Sequence, residues 1–356
     1  MEKQTQLKAN IVELNVVKAI AILAVLIIHA TADSRVNVPW GSVTAPFYLL
    51  INSLSMFAVP VFIFINGLVL FYRYKDDWTP KQALSFYKKR IKYILIPYLI
   101  WSAIYYVYYQ WLQHQSFQFD LNTFANLLIW GKSSYHLYFM VIVIQLYLFF
   151  PILMTIVNKF KFKAYHMIAL GLLVQGLFYY IHHWIKPFSH AASMMPNYFI
   201  VFCVGAAIGM SYQSFSKKSN QLWWVFGLAV FVGFVYILIL LSSQEGGASY
   251  PGPVYVILYT LYAVLVGISL IWIGKIVCER STFLTRWILA LGTASFGIYL
   301  VHPLVLSEWR MAVNLIPQHS YYHIYNIATL LLIIVIPWLI VVCTKRIKFS
   351  WLLWGR

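Results

Sequence analysis

Acidic residues are nearly missing from this chain: nine Asp and Glu stand against 26 Lys and Arg in 356 residues, and charged residues make up only 10%. A water-facing surface carries far more charge than that, so a soluble globular domain is excluded. Cysteine is equally scarce. Cys203, Cys278 and Cys343 supply neither a disulfide framework nor the Cys–His spacing of a zinc site. The sequence has no glycine-rich phosphate loop and no G-x-S-x-G elbow. No metal and no permanently bound cofactor are therefore expected. Nor is a cleavable signal expected, because the polar, lysine-bearing stretch 1–10 leads into a segment of full spanning length.

What is abundant is apolar. Hydrophobic residues reach 62% and aromatics 19%, with a mean hydropathy of +0.75. The fold class expected is all-α: a polytopic integral membrane protein in which residues 1–356 form a single domain. Runs of about twenty apolar residues predict ten transmembrane helices near 11–31, 45–72, 91–112, 136–157, 165–183, 195–211, 222–242, 254–276, 287–306 and 323–343. Pro60 predicts a kink or tilt in the long second segment. Residues 119–130 are too few and too polar to span, and suit the membrane interface. With both termini cytoplasmic, 21 Lys and Arg fall in the cytoplasmic segments, against Arg35, Lys132, Lys186 and Arg310 on the opposite side. This asymmetry accounts for the net charge of +17 as an orientation signal. Nucleic acid is not an expected partner; the lipid bilayer of the cell membrane is, with basic segments also suited to anionic lipids or a phosphorylated ligand.

Polar residues inside the spans are costly, and they mark candidate sites. Lys18 and His29 bracket the unbroken apolar run 19–28 of the first span. Eleven helical steps place them on one face, about 16 Å apart. Glu13, Asn15 and Lys18 lie at the N-terminal end of that span, and Lys88, Lys89, Arg90 and Lys92 open the third. His29, His136 and His302 lie at the opposite, outer ends, with Glu308 just beyond. A basic group on one side and histidines on the other suit an anionic donor entering from the cytosol and acid–base chemistry outside. Each residue also has a plainer reading. Lys18 snorkels or pairs with Glu13; Arg90 and Lys92 anchor topology; His302, before Pro303, satisfies a freed carbonyl; His136 is an ordinary interfacial histidine.

Taken in order, five segments resemble the acyltransferase-3 family of integral membrane proteins, which modify envelope molecules. They are Leu14–Leu23 through His29; Phe62–Gly67; Lys89–Tyr98, similar to a basic R-x-x-R segment followed by proline; His136–Phe139 with Gln145 and Pro151; and Ser295–Pro303. Where the family carries Asp and Arg in the first helix, this chain has Asn15 and Lys18, and the second Arg of R-x-x-R falls on Tyr93, with Lys92 beside it. Lysine keeps the charge but lacks the planar fork suited to phosphate. Within the family, the stand-alone length and the run Lys92–Tyr98 look most like the intercellular adhesion protein C branch, associated with poly-N-acetylglucosamine exopolysaccharide and viewed as exporters or O-acyl (succinyl) transferases.

The resemblance implies transfer of an acyl group, acetyl or succinyl, from cytosolic acyl-CoA to a hydroxyl of an extracytoplasmic polysaccharide. Under it, Lys18, Arg90, Lys92 and Asn15 hold the donor phosphates. His29 is the general base or a covalent acyl carrier. His302 and Tyr299 orient the imidazole or bind the oxyanion, and His136 faces the acceptor. The competing class is an exporter or flippase for a polysaccharide or lipid-linked sugar. Such folds often carry matched, proline-interrupted half-repeats, which Pro60, Pro97, Pro151, Pro303 and Pro337 do not form. A structural partner of a glycan synthase is the third class.

Overall fold

The computed structural model describes residues 8–116, 118–245, 247–280, 282–313 and 315–355; most of the polar leader lies outside them. These residues fold as helices α1 (Glu13–Asn37), α2 (Thr44–Ser55), α3 (Ala58–Tyr74), α4 (Pro80–Arg90), α5 (Ile96–His114), α6 (Leu121–Trp130), α7 (Tyr138–Lys159) and α8 (Ala164–Tyr180). There follow α9 (Phe199–Met210), α10 (Tyr212–Lys218), α11 (Trp223–Glu245), α12 (Gly252–Glu279), α13 (Phe283–Ala312), α14 (Tyr322–Thr344) and α15 (Trp351–Trp354). Among the described residues, nine helical segments are long and apolar enough to cross a membrane. The protein is a multi-pass membrane protein.

The tenth expected span, at 195–211, is present but short. It opens as a 3-10 turn at Met195–Tyr198, with Pro196 in its first positions, and continues as α9. Its length is about 25 Å, against a hydrocarbon core of ~30 Å. The second span breaks at Met56–Phe57, and α3 restarts with Pro60 in its first turn, where a missing N–H costs no helical bond. The third extends back to Pro80, capped by Thr79 and Gln82. Between α4 and α5 lies a π-helical turn, Ile91–Leu95, just before Pro97. Pro97 cannot donate to the carbonyl four residues earlier, and the wider turn absorbs that loss. The 119–130 segment is the ten-residue helix α6, capped by Asp120 at its start and by Gly131 in the left-handed conformation at its end.

The chain divides into two compact units. One is built chiefly from Asn66–Ser211 and Val341–Arg356. Within it α8 lies along α9, and α15 packs on α5, where Trp101 donates to the Leu353 carbonyl (3.1 Å). Gly67 lets α3 press on α9: a Cβ there would lie 2.1 Å from the Phe202 carbonyl oxygen. This is the physical use of the glycine that ends the Phe62–Gly67 run.

The other unit is built from Ala9–Ile65 and Tyr212–Ile340. Helix α1 packs along α13, α12 and α2, and α11 pairs with α12. The run between Lys18 and His29 is mostly core, with Ala19, Ala21, Ile22, Ala24, Val25 and Leu26 buried. Small side chains bring the backbones close. A Cβ on Gly292 of α13 would lie 1.8 Å from the Asn15 carbonyl oxygen.

Candidate functional site

In the unit that holds α1, His29 and His302 come together. Their ring centroids are 5.2 Å apart and tilted by 32°, and the Tyr299 ring lies 6.2 Å from His302. His302 is fully buried and Tyr299 nearly so, while His29 is half-buried. His302 Nδ1 lies 3.2 Å from the Ile298 carbonyl oxygen. A carbonyl only accepts, so Nδ1 carries the proton and Nε2 of the neutral ring is the basic nitrogen.

Two charged residues complete this end of the site. Arg310 donates to the His29 carbonyl oxygen (3.0 Å) and pairs with the Asp33 carboxylate at 2.9 Å. Sequence reasoning counted Arg310 only as an orientation charge and passed over Asp33. The signal was there: Asp33 follows His29 by one helical turn, and Arg310 follows His302 by about two. On the neighbouring face of α1, Asn52 donates to Thr31 Oγ1 and to the Ile28 carbonyl (both 3.0 Å) and accepts from Arg35 (2.9 Å). At the other end of the same helix, Lys18 donates to Asn15 Oδ1 (3.4 Å), and Glu13 accepts from the Tyr212 hydroxyl (2.5 Å).

The remaining expected residues belong to the other unit. Arg90 stacks on Tyr147 and Phe86, its guanidinium carbon 4.5 and 4.9 Å from the ring centroids. Asn66 donates to the Tyr147 hydroxyl (2.8 Å). Among the described residues, the buried Arg90 Nε and Asn66 Oδ1 find no hydrogen-bond partner, which leaves an unsatisfied donor and acceptor around Tyr147. Neither Asn66 nor Tyr147 was singled out in the sequence, although Asn66 lies within one of the five segments. Lys92 is exposed and lies over Trp351 (4.8 Å) and Tyr93 (5.3 Å), so it does not join Arg90. His136 is buried, with Nδ1 3.1 Å from Ser134 Oγ and its ring 5.2 Å from Tyr105. It too stands in a cluster of its own.

A helical membrane protein with a histidine pair in its spans and a stacked arginine in a second cluster is the class these features define. Comparison with known proteins places it more narrowly. The chain belongs to the acyltransferase-3 family, whose acyltransferase-domain profile matches residues 11–344. It is 24% identical over 324 residues to a probable poly-beta-1,6-N-acetyl-D-glucosamine export protein of Staphylococcus aureus (strain MSSA476), covering 86% of each chain. The protein of the same name from Staphylococcus epidermidis is 22% identical over 333 residues, covering 88% of this chain and 86% of the relative. No solved structure matches the chain significantly.

Proposed function

We propose that this protein transfers an acyl group, acetyl foremost, from cytosolic acyl-CoA to a hydroxyl of a cell-surface polysaccharide rich in N-acetylglucosamine. The observation that carries this reading is the His29–His302 pair, two imidazoles 5.2 Å apart inside the spans of an acyltransferase-family chain. The glycan acceptor is taken from the names of the staphylococcal relatives.

In the proposed step, the half-buried His29 removes the proton from the acceptor hydroxyl. The hydroxyl oxygen attacks the thioester carbonyl; the C–O bond forms and the C–S bond breaks. The proton passes from the imidazolium to the departing CoA sulfur. His302, with no exposed surface, does not touch substrate: it fixes the His29 ring, and its own ring is held by the Ile298 carbonyl. Tyr299 backs His302 in the same way. Arg90 and Lys92 are proposed to hold the donor phosphates, and Arg90, with unsatisfied polar atoms around Tyr147, is the stronger of the two. Lys18 with Asn15 is a further basic group proposed for the donor. His136 remains proposed on the acceptor side. On this reading both termini are cytoplasmic, and the transfer occurs outside.

The names of the relatives favour one second reading, export or flipping of the polysaccharide without chemistry. Purified protein in detergent decides between them. Incubation with acetyl-CoA and a soluble N-acetylglucosamine oligomer is expected to release CoA thiol and add an acetyl mass to the sugar. The same protein with His29→Ala is expected to do neither while accumulating normally in the membrane. CoA release that survives His29→Ala removes His29 from the reaction, and no release by the unaltered protein favours the exporter.

A further inference from the structure

Where α1 and α13 end and α14 begins, one unit holds a cavity of about 140 Å³. Asp33, Asn37, Arg310, Tyr325, Asn326 and Thr329 supply its polar and aromatic lining. The size is that of a single bare ring, since a cavity of about 150 Å³ holds one benzene, and the cavity opens at the exposed Ile316, where ring substituents have room. Its charge is balanced, because Arg310 and Asp33 already pair at 2.9 Å. An anion here competes with Asp33 for the guanidinium, and a cation competes with Arg310 for the carboxylate. A hydroxyl does neither, since it donates to the carboxylate and accepts from the guanidinium at once. The amide of Asn326, beyond the N–H it donates to the Tyr48 hydroxyl (3.0 Å), extends that set, while the Thr329 hydroxyl is taken up by the Tyr325 carbonyl (2.7 Å) and only bounds the cavity. Tyr325 supplies a stiff aromatic wall, since its ring stacks on Trp309 at 5.9 Å and 15°, and Trp309 is itself tied to Thr329 by a 2.9 Å hydrogen bond. Few polar groups against an aromatic face are what a small neutral ligand needs for orientation.

The cavity is also joined to the histidine pair. Ala30 lines it, the residue after His29, and Arg310 bonds the His29 carbonyl.

We propose that this cavity is a subsite for one neutral pyranose ring of the acceptor glycan, held by the Arg310–Asp33 pair, Asn326 and the Tyr325 face. The proposal deepens the acceptor side of the reaction above and rests on that reading for the identity of the glycan.

The test is calorimetric titration of the detergent-purified full chain, with no thioester present. The probes are N-acetylglucosamine and its β-1,6-linked trimer, with glucuronate and glucosamine as charged comparators. Neutral sugars are expected to bind the unaltered protein and the His29→Ala variant with Kd values within about threefold, and to bind more tightly than either charged sugar. Ile316→Trp places a large ring in the cavity from an exposed position, so the fold is preserved; it is expected to weaken binding by at least about tenfold, as is Tyr325→Ala. Absent saturable binding, undiminished affinity in Ile316→Trp, or a preference for glucuronate overturns the subsite. Intact sugar binding without acyl transfer overturns the enzymatic reading instead and leaves the subsite standing.

Discussion

Arg310 is the residue on which the geometry around His29 makes its most exposed claim. In a helix the His29 carbonyl already accepts from the backbone four residues on, and its second lone pair takes the Arg310 guanidinium at 3.0 Å. The same guanidinium reaches Asp33 at 2.9 Å, with side-chain exposures of 31% for Arg310 and 55% for Asp33. Exposed ion pairs contribute only ~0–1 kcal/mol, whereas hydrogen bonds to charged groups contribute ~1.5–3 kcal/mol. The carbonyl contact, not the ion pair, is therefore expected to fix this stretch of α1. Partial exposure of Arg310 argues for the low end, about 1.5–2 kcal/mol. If that energy is used in positioning the His29 imidazole, Arg310→Met lowers kcat/KM for CoA release by roughly ten- to thirtyfold. Asp33→Asn keeps the shape and an acceptor, and its loss stays within about threefold. Arg310→Lys retains a point charge without the fork and falls between the two. The assay is thiol release from acetyl-CoA together with melting in detergent for all three variants. An Asp33→Asn defect as deep as that of Arg310→Met refutes the reasoning, as does full turnover in Arg310→Met.

Gly292→Ala puts a Cβ 1.8 Å from the Asn15 carbonyl oxygen, and a backbone atom cannot swing aside; overpacking costs about 1–3 kcal/mol, so the melting temperature in detergent is expected to fall. Arg90→Lys removes the planar guanidinium from the faces of Tyr147 and Phe86, a contact of ~1 kcal/mol, and is expected to raise KM for acyl-CoA about fivefold with kcat unchanged; Lys92→Ala, on an exposed side chain, is expected to move KM less. The Thr123 hydroxyl and the Asn122 N–H hold the Asp120 carboxyl below its ordinary value of 3.8. A lowered carboxyl stabilises above its unfolded pKa and loses that effect as pH falls through its folded pKa, so α6 is expected to keep its amide protection at neutral pH and fray in acid. Asp120→Ala should fray it at both, as hydrogen exchange over residues 121–130 would show.

Most of the fold was legible because long apolar runs are an unambiguous signal. The ends of the helices were not, for a consistent reason. The first span was expected to stop near residue 31, where the apolar run gives way to Thr31, Asp33, Ser34, Arg35 and Asn37. The helix continues to Asn37 because Thr31, Asp33, Ser34 and Arg35 find partners on other helices: Asn52, Arg310 and Tyr322. Hydropathy scores a residue's cost in lipid and cannot see a partner nearly 300 positions away. The 16-residue segment near 195–210 had the opposite problem: its composition is strongly apolar, but Pro196 and a tight first turn shorten it. At the site, His29, His302 and Tyr299 were found together because the same segments that suggested them pack as a pair. Arg90 was chosen for its charge, yet it is its aromatic seat on Tyr147 that distinguishes it from Lys92. Spacing along one helix could not reveal that.

The polar groups of α1 explain why a membrane helix tolerates so many of them. Glu13 meets Tyr212, and Asn15 meets Lys18 at one end. Ten apolar residues follow, with six of them in the core. Then Thr31 meets Asn52, Asp33 meets Arg310, Ser34 meets the Tyr322 hydroxyl and Arg35 meets Asn52. An unpaired polar group in hydrocarbon costs several kcal/mol, so this pattern holds only if α1 is enclosed by α2, α12, α13 and α14, not by lipid. A helix used merely as an anchor would have no reason to retain it. Each pairing fixes the rotation of α1 about its own axis, and that rotation sets the direction of the His29 imidazole. The pairings therefore position the candidate base as well as stabilise the helix, which is why a single substitution at Arg310, bonded to the His29 backbone and not to its ring, is expected to register in turnover as well as in stability.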